Sequence, residues 1–276
     1  MKQQVTESLA KLEKSLAKHR SMDDQENPVL SRLRGRWMDK CEVKGVLGQY
    51  SLLPAHIVDF LAAGADRLAG WPAVAKELAR NIGEEQGSRT EGWSHYQILR
   101  AAVLRELSID LIDVVPEEVT DNFLSSIKIR LADESEPFVA GMLYGLEDSA
   151  IPELVIIAKI INAYAKLIGL NNEPIDLSGI RSRQRVCKSQ ADGIDKYSLD
   201  HFFAAHMLDF EVGHRNGLAT AVEGYLSSPR DLEQFEKGFE YVLNLMDDWW
   251  SALAFGNNGK IEKASRPSKS EVLTVA

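Results

Sequence analysis

Cysteine is scarce in this sequence, and its two occurrences, Cys41 and Cys187, match no metal-binding or redox spacing. This scarcity excludes a disulfide framework and favours a reducing, intracellular compartment. Residues 1–20 are amphipathic and charged, unlike the basic end and apolar stretch of a signal peptide. We therefore expect a cytoplasmic protein.

Basic residues are too few to balance the acidic ones, so the formal net charge is −9. An acidic chain without a basic patch is a poor partner for nucleic acid or for an anionic membrane. No apolar run approaches the ~20 residues that cross a bilayer, so we expect no membrane partner. Hydrophobic residues make up 45% and charged residues 26%, which is typical of a globular protein with a substantial core.

Strand-like segments are also nearly absent, since only residues 109–115 resemble one and they could equally form a loop. Apolar residues recur at helical spacing almost everywhere else, with predicted breaks at "SLLP" (51–54) and at Pro152. The pattern predicts an all-α bundle of about seven core helices. Residues 1–25 would form an N-terminal helical extension, 26–256 the helical domain and 257–276 a disordered tail.

The segment "NIGEEQGSRTEGWSH" (81–95) carries the first candidate site residues. It ends one helix with Glu84 and Glu85, turns, and opens the next helix with His95. Carboxylate and imidazole groups ten residues apart can converge across such a turn. The structural alternative is two solvated acids and an ordinary first-turn histidine.

The segment "GMLYGLED" (141–148) carries a second candidate, Glu147. Gly141 and Gly145 share one helix face, and because a helical glycine costs about 1 kcal/mol relative to alanine, they indicate close approach of another helix. A carboxylate carried inward must be paired, protonated or bound to metal. The structural alternative places Glu147 at the edge of the stripe and Asp148 in water.

The segment "HMLDFEVGH" (206–214) places two histidines and two acids beside an apolar stripe. On a regular helix, His214 and Asp209 lie about 80° and −60° from His206, which is compatible with an inward face. Glu211 lies about 140° away, off that face, unless a π-type turn adds one residue. Two core histidines satisfied by hydrogen bonds are the structural alternative.

Taken together, these segments resemble the heme-oxygenase-like diiron oxidase family, which includes the CADD-like proteins and is related in fold to the TenA and PqqC groups. The resemblance extends over residues 28–255 and includes the runs "LGQYSLLPAHIVDFLAAGADRL" and "SHYQIL". The family pattern is an Asn-x-x-(Asp/Glu)-Glu-x-Gly turn and a His, a Glu after a Gly-x-x-Tyr-like helix, and a helix with His, carboxylate and His. The matching residues here are Asn81, Glu84, Glu85, Gly87, His95, Glu147, His206, Glu211 and His214.

The resemblance implies a heme-oxygenase-like bundle that holds two iron ions, with manganese as the alternative, and that oxidises a small organic substrate with O2. A homodimer is a further expectation. The metal ligands implied are Glu85, His95, Glu147, His206, Glu211 and His214.

The spacing of the last helix departs from the family, because Glu211 lies five residues after His206 instead of four. Either a π-type turn absorbs the extra residue, or Asp209 replaces Glu211, or one ligand is lost. We predict a π-type turn near residues 207–210, with Glu211 as the ligand and Asp209 outside the first coordination shell.

Three alternative functions share this fold or sequence pattern. A TenA-like hydrolase of thiamin-related compounds normally needs a cysteine nucleophile, and neither Cys41 nor Cys187 lies in such a pattern. A heme oxygenase needs a proximal histidine on its first helix, where His19 is the one candidate. The third alternative is a non-enzymatic, CADD-like interaction protein.

Overall fold

A computed structural model describes residues 2–35, 38–170, 174–180 and 193–255, and these residues form helices and turns without a β-strand. The all-α prediction is confirmed, and residues 109–115 form a loop; the predicted tail at 257–276 lies outside the described residues. A π-helical segment, His206–Phe210, joins two of the helices. The α-helices are α1 (Lys2–Ser15), α2 (Pro28–Gly35), α3 (Lys40–Arg67), α4 (Pro72–Glu85), α5 (His95–Leu107), α6 (Glu118–Asp133), α7 (Glu136–Leu167), α8 (Leu177–Ile180), α9 (Leu199–Ala205), α10 (Glu211–Val222) and α11 (Pro229–Phe255).

Helices α7 and α11 pack against each other along the centre of the bundle. Glycines make this approach possible, because a Cβ atom built on Gly141 would lie 2.7 Å from the carbonyl carbon of Phe235. A Cβ atom on Gly238 would lie 2.9 Å from the carbonyl carbon of Phe138. The prediction that the helical glycines of α7 admit a neighbouring helix is therefore confirmed.

Two predicted helix breaks were wrong, because both proline-containing stretches continue as single helices. Pro54 lies inside α3 and Pro152 lies inside α7. An interior proline removes one backbone hydrogen bond, but both helices bury apolar side chains on each side of the proline. Tertiary packing supplies most of a helix's stability, so it outweighs the local loss.

A break that the sequence analysis missed separates α2 from α3. Asp39 and Glu42 form a capping box there: the Glu42 backbone N–H donates to Asp39 Oδ1 at 2.9 Å, and the Asp39 N–H donates to Glu42 Oε2 at 3.1 Å. These reciprocal bonds satisfy backbone donors that a helix start leaves unpaired. Helices α2 and α3 are therefore separate, although no break was predicted between them.

The N-terminal segment docks on α11 through a buried histidine. His19 Nδ1 lies 2.9 Å from Asp247 Oδ2, and His19 Nε2 lies 3.2 Å from Glu240 Oε2. The Ser21 backbone N–H and hydroxyl both donate to the other oxygen of Asp247. Both ring nitrogens of His19 are thus engaged by α11, which leaves neither for a heme iron.

Helix α3 is long and apolar enough to meet the length and composition criteria of a membrane span. Within its most apolar window, however, 56% of the residues are buried inside the protein. A core helix of a bundle meets the same criteria, so this feature is weak support for a membrane span.

Candidate metal centre

The turn between α4 and α5 brings the first two candidate ligands together. Gly87 has a φ of +100°, and a Cβ atom there would lie 2.7 Å from the backbone of Gly92, so the reversal needs glycine. Beyond the turn, Ser94 caps α5 and sets His95 as its first residue. His95 Nδ1 then lies 3.1 Å from Glu85 Oε2, and both side chains are buried.

The π-helical segment at 206–210 brings Glu211 to the same side of the chain as His206. The Glu211 backbone N–H donates to the His206 carbonyl, five residues earlier, as in a π turn. The predicted π-type turn is therefore confirmed. Asp209 instead faces solvent, with its side chain 57% exposed, and pairs with Arg89 at 2.5 Å.

Glu85, Glu211 and His214 each offer a ligand atom, and these atoms lie within 4.8 Å of one another. All three residues are buried, and they come from α4 and α10. Carboxylate oxygen and imidazole nitrogen are the donor set that iron, manganese and zinc accept in proteins. This group could therefore bind a metal ion.

His214 lies among four carboxylates. Its Nδ1 atom is 3.3 Å from Glu147 Oε2, 3.7 Å from Glu211 Oε2 and 3.9 Å from Glu85 Oε1. Its Nε2 atom is 3.3 Å from Glu84 Oε2 on the opposite side of the ring. Nδ1 is therefore the atom that His214 presents to the candidate site, and Glu84 holds the other end of the ring.

His206 and His95 complete the set, with ring centroids 4.4 Å apart. The Nδ1 atom of His206 is 2.7 Å from the Phe202 carbonyl oxygen, which leaves Nε2 buried without a hydrogen-bond partner. His95 Nδ1 contacts Glu85 without a hydrogen bond, and His95 Nε2 is buried without a partner. Buried nitrogen atoms without partners are rare in native proteins, and an ion is one of the explanations.

The charges of this cluster also fit a cation. Burial by itself would lower the pKa of His214, but hydrogen bonds to Glu147, Glu211 and Glu84 raise that pKa far above its ordinary value. Burial raises the pKa of Glu211, and it holds the pKa of His206 well below its usual range, with a further effect from His95. The carboxylates thus stabilise positive charge at the centre of the cluster, which a divalent ion would supply.

Outside the cluster, two arginines hold Glu84. Arg80 Nη1 lies 2.6 Å from Glu84 Oε1, and Arg89 Nη1 lies 3.4 Å from Glu84 Oε2. Burial opposes ionisation of Glu84, yet its contacts with His214 and Arg80 lower its pKa to about 2. Arg89 also stacks on the Phe210 ring, 4.6 Å from its centroid, and so ties the turn after α4 to the π-helical segment.

A small cavity of about 80 Å³ adjoins the cluster. Its walls are mostly apolar, and five of the six candidate ligands border it, with His214 just behind them. Cys41 is exposed and does not line the cavity, and Cys187 lies outside the described residues. The lining residues are Tyr50, Leu53, Pro54, Ile57, Glu85, His95, Leu99, Leu146, Glu147, Ala150, Glu153, Leu154, Phe202, Phe203, His206 and Glu211.

Comparison with known families shows to which family this chain belongs. Residues 6–171 and 185–256 match a family described as a domain of unknown function with a solved structure, DUF3865. The chain belongs to the DUF3865 family. The DUF3865 match includes all six candidate ligands and the cavity beside them.

This DUF3865 protein is similar to a CADD-like protein of unknown function from Nostoc punctiforme, whose two crystal structures share 27% sequence identity with it. The TM-scores are 0.76 and 0.73, with 91% of this chain covered and 97% and 95% of the other chains. The expected CADD-like, heme-oxygenase-like fold is thereby confirmed.

The DUF3865 protein is also distantly similar to an enzyme, the 4-chloro-allylglycine synthase of Streptantibioticus cattleyicolor. The two sequences are 24% identical over 245 residues, which cover 86% of this chain and 79% of the synthase. The similarity spans most of both chains.

The sequence analysis missed two polar residues of the cavity, Glu153 and Tyr50. Glu153 is 2% exposed, although it follows the proline that was expected to break α7. A carboxylate inside the otherwise apolar run "PELVIIAKII" was a usable signal. Asp148, which the structural alternative placed in water, is also buried, at 3% exposure.

Proposed function

We propose that this DUF3865 protein is an iron-dependent oxidase or oxygenase that holds two metal ions and uses O2 to oxidise a small organic substrate. Manganese is the alternative metal. One observation carries the proposal: buried carboxylates converge with three buried histidines beside an apolar cavity, and the Nε2 atoms of His95 and His206 lack partners. A bundle whose separate helices each supply such groups is the arrangement of dinuclear carboxylate sites.

The residues that would hold the two ions are Glu85, His95, Glu147, His206, Glu211 and His214. Bound ferrous ions would supply the electrons that O2 needs to react with an organic molecule. Three carboxylate ligands against two divalent ions leave net positive charge, which favours an anionic group of the substrate. Similarity to a synthase that forms an unsaturated amino acid supports an enzymatic function on a small molecule.

Neighbouring groups hold the proposed ligands in place. Asn81 Nδ2 donates to Glu147 Oε1 at 3.0 Å, which leaves Oε2 facing His214. The Phe202 carbonyl accepts from His206 Nδ1–H at 2.7 Å, so Nε2 is free to bind an ion. Such second partners set the tautomer and the ring orientation of a ligand histidine.

The apolar walls have a separate role, which is to exclude water from the reacting groups. Leu53, Leu99, Leu146 and Phe203 border the cavity, and a dry site strengthens electrostatic interactions while limiting side reactions. The protein would thus supply geometry and access, while the metal supplies the redox chemistry.

Metal content provides the test. Protein produced in iron-supplemented medium should contain about two iron ions per chain, the number that such bundle sites hold. The Glu211→Ala variant should lose one of them, because it removes a carboxylate from the centre. The matched Asp209→Ala variant should retain both, because Asp209 lies in the same turn but faces solvent.

Two results would overturn the proposal. Iron-grown protein without bound iron or manganese would remove its basis, and loss of metal in Asp209→Ala but not in Glu211→Ala would show that the ligand set is wrong. Anaerobic titration with Fe(II), followed by exposure to O2 with an absorbance readout, would separate metal binding from oxidation.

A further inference from the structure

Glu153 is a buried carboxyl group on the cavity wall that the proposed metal site does not use. It lies six residues after Glu147 on α7 and is 2% exposed. The Trp250 indole N–H donates to its Oε1 atom at 3.1 Å. Within the described part of the chain, no other hydrogen bond reaches this carboxyl group, and Glu153 lines the cavity.

Among the described residues, those that surround Glu153 in the cavity wall include no lysine or arginine. Its near neighbours there include Ala150 and Leu154, and the two histidines of the lining, His95 and His206, are candidate metal ligands. Burial raises the pKa of Glu153 to about 8, with a further contribution from the negative charge of Glu211. A buried carboxyl group must be protonated or paired with a cation, and the described residues of the cavity lining supply no lysine or arginine to pair with Glu153.

We infer that Glu153 is the recognition group for an alkylammonium group on the substrate. The inference rests on the proposed function in taking this cavity as the substrate pocket. An ammonium group carries three hydrogen-bond donors and no acceptor, so it complements the free Glu153 oxygen. Its alkyl chain would lie against the apolar wall between Glu153 and the candidate metal centre.

Tyr50 also favours a cationic over an anionic group of the substrate at this wall. Its ring lies 6.1 Å from that of Trp250, on the same cavity wall as Glu153. Burial, and then the charge of Glu153, raise the pKa of its phenol, so Tyr50 stays neutral and adds an acceptor without adding positive charge. An anionic group at this wall would face Glu153 with no lysine or arginine among the described lining residues to offset the repulsion.

The test uses the full-length protein stripped of metal by a chelator, because an amine could otherwise bind the metal itself. Three probes of the same length, n-butylammonium, 1-butanol and butyrate, are titrated by calorimetry. We expect n-butylammonium to bind most tightly. Glu153→Gln keeps the shape and the acceptor for Trp250, and it should weaken n-butylammonium at least about tenfold while leaving 1-butanol unchanged.

Glu211→Gln is the matched control, since it removes a carboxylate from the candidate metal centre and not from the wall around Trp250. It should weaken n-butylammonium much less than Glu153→Gln does. Tyr50→Phe is a second variant, and it should weaken n-butylammonium binding less than Glu153→Gln does. It keeps the inference testable if Glu153→Gln fails to fold.

The inference is overturned if n-butylammonium does not bind the wild-type protein, if butyrate binds more tightly, or if Glu153→Gln binds n-butylammonium unchanged. A larger loss in Glu211→Gln than in Glu153→Gln would place the ammonium at the metal ligands and also overturn it. None of these outcomes alters the iron content of metal-loaded protein. Failure of the recognition group is therefore distinguishable from failure of the metal site.

Discussion

Substitution of Gly141 tests how closely α7 and α11 must pack for the bundle to keep its stability. Gly141→Ala would place a Cβ atom 2.7 Å from the Phe235 carbonyl carbon and closer still to its oxygen. Because carbon atoms normally pack about 3.5–4.0 Å apart, the helices would have to separate by about 1 Å. The obstructing atoms are backbone, so no side-chain rotation can relieve the overlap.

The expected magnitude follows from two opposing effects. Overpacking of a core costs about 1–3 kcal/mol, and a backbone obstruction suggests the upper end. Replacing a helical glycine by alanine regains about 1 kcal/mol, which leaves a net loss of about 2 kcal/mol. For a domain of this size, the melting temperature should fall by roughly 4–8 °C.

Gly45→Ala is the matched control for Gly141→Ala. Gly45 lies inside α3, it is exposed, and a Cβ atom there would meet nothing within 4 Å. Its melting temperature should rise by roughly 2–4 °C, because only the gain in helix propensity remains. Thermal melts followed by circular dichroism measure both variants. A Gly141→Ala protein as stable as Gly45→Ala would refute the argument from close helix approach.

Three further predictions concern the metal and the N-terminal segment. Saturating Fe(II) under anaerobic conditions should raise the melting temperature of the wild-type protein, since a ligand bound only by the folded state stabilises it; identical melts would count against a metal site. Glu84→Gln should weaken Fe(II) binding about 10–100-fold, because Glu84 holds the far side of the His214 ring; an unchanged affinity in anaerobic titration would exclude that role. The hydrogen bond to Asp247 raises the pKa of His19 against the opposing effect of burial. Protonated His19 therefore contributes its full stabilisation of the fold below about pH 6.5, the unfolded-state pKa. This stabilisation is lost as the pH rises through the folded-state pKa. Urea unfolding should therefore show a larger deficit for His19→Gln at about pH 5.5 than at about pH 9; an equal deficit would mean that the charge of His19 is not what stabilises the contact.

Local spacing and the family resemblance together predicted the π-type turn. Residues 206–214 contain one residue too many for a regular helix to aim His206, Glu211 and His214 at one point. Only a local insertion could reconcile that spacing with a shared site, and the backbone hydrogen bond from Glu211 to His206 shows this insertion. The angular argument uses the order of the residues and the pitch of a helix, and the family resemblance supplied the expectation of a shared site.

Proline and burial show where local patterns fail. Pro54 and Pro152 are helix-breaking signals, yet α3 and α7 continue through them because packing on both sides outweighs one lost hydrogen bond. Glu153 and Asp148 have ionisable side chains, yet both are buried. Whether an acid on an apolar helix is solvated depends on which neighbouring helix covers it, and Trp250, which bonds Glu153, is distant in the chain.

The sequence by itself determined the all-α class, the glycine contact face of α7 and the residue types that could bind a metal, since helical period and side-chain chemistry are local properties. Resemblance to a family added the pairing of distant segments. Only the tertiary structure decided which nitrogen of His214 faces the cluster, that Asp209 points to solvent and that Glu153 borders the cavity. These are properties of side-chain orientation. Packing between helices sets that orientation, here between α4, α7, α10 and α11. The order of residues along one helix does not contain this information.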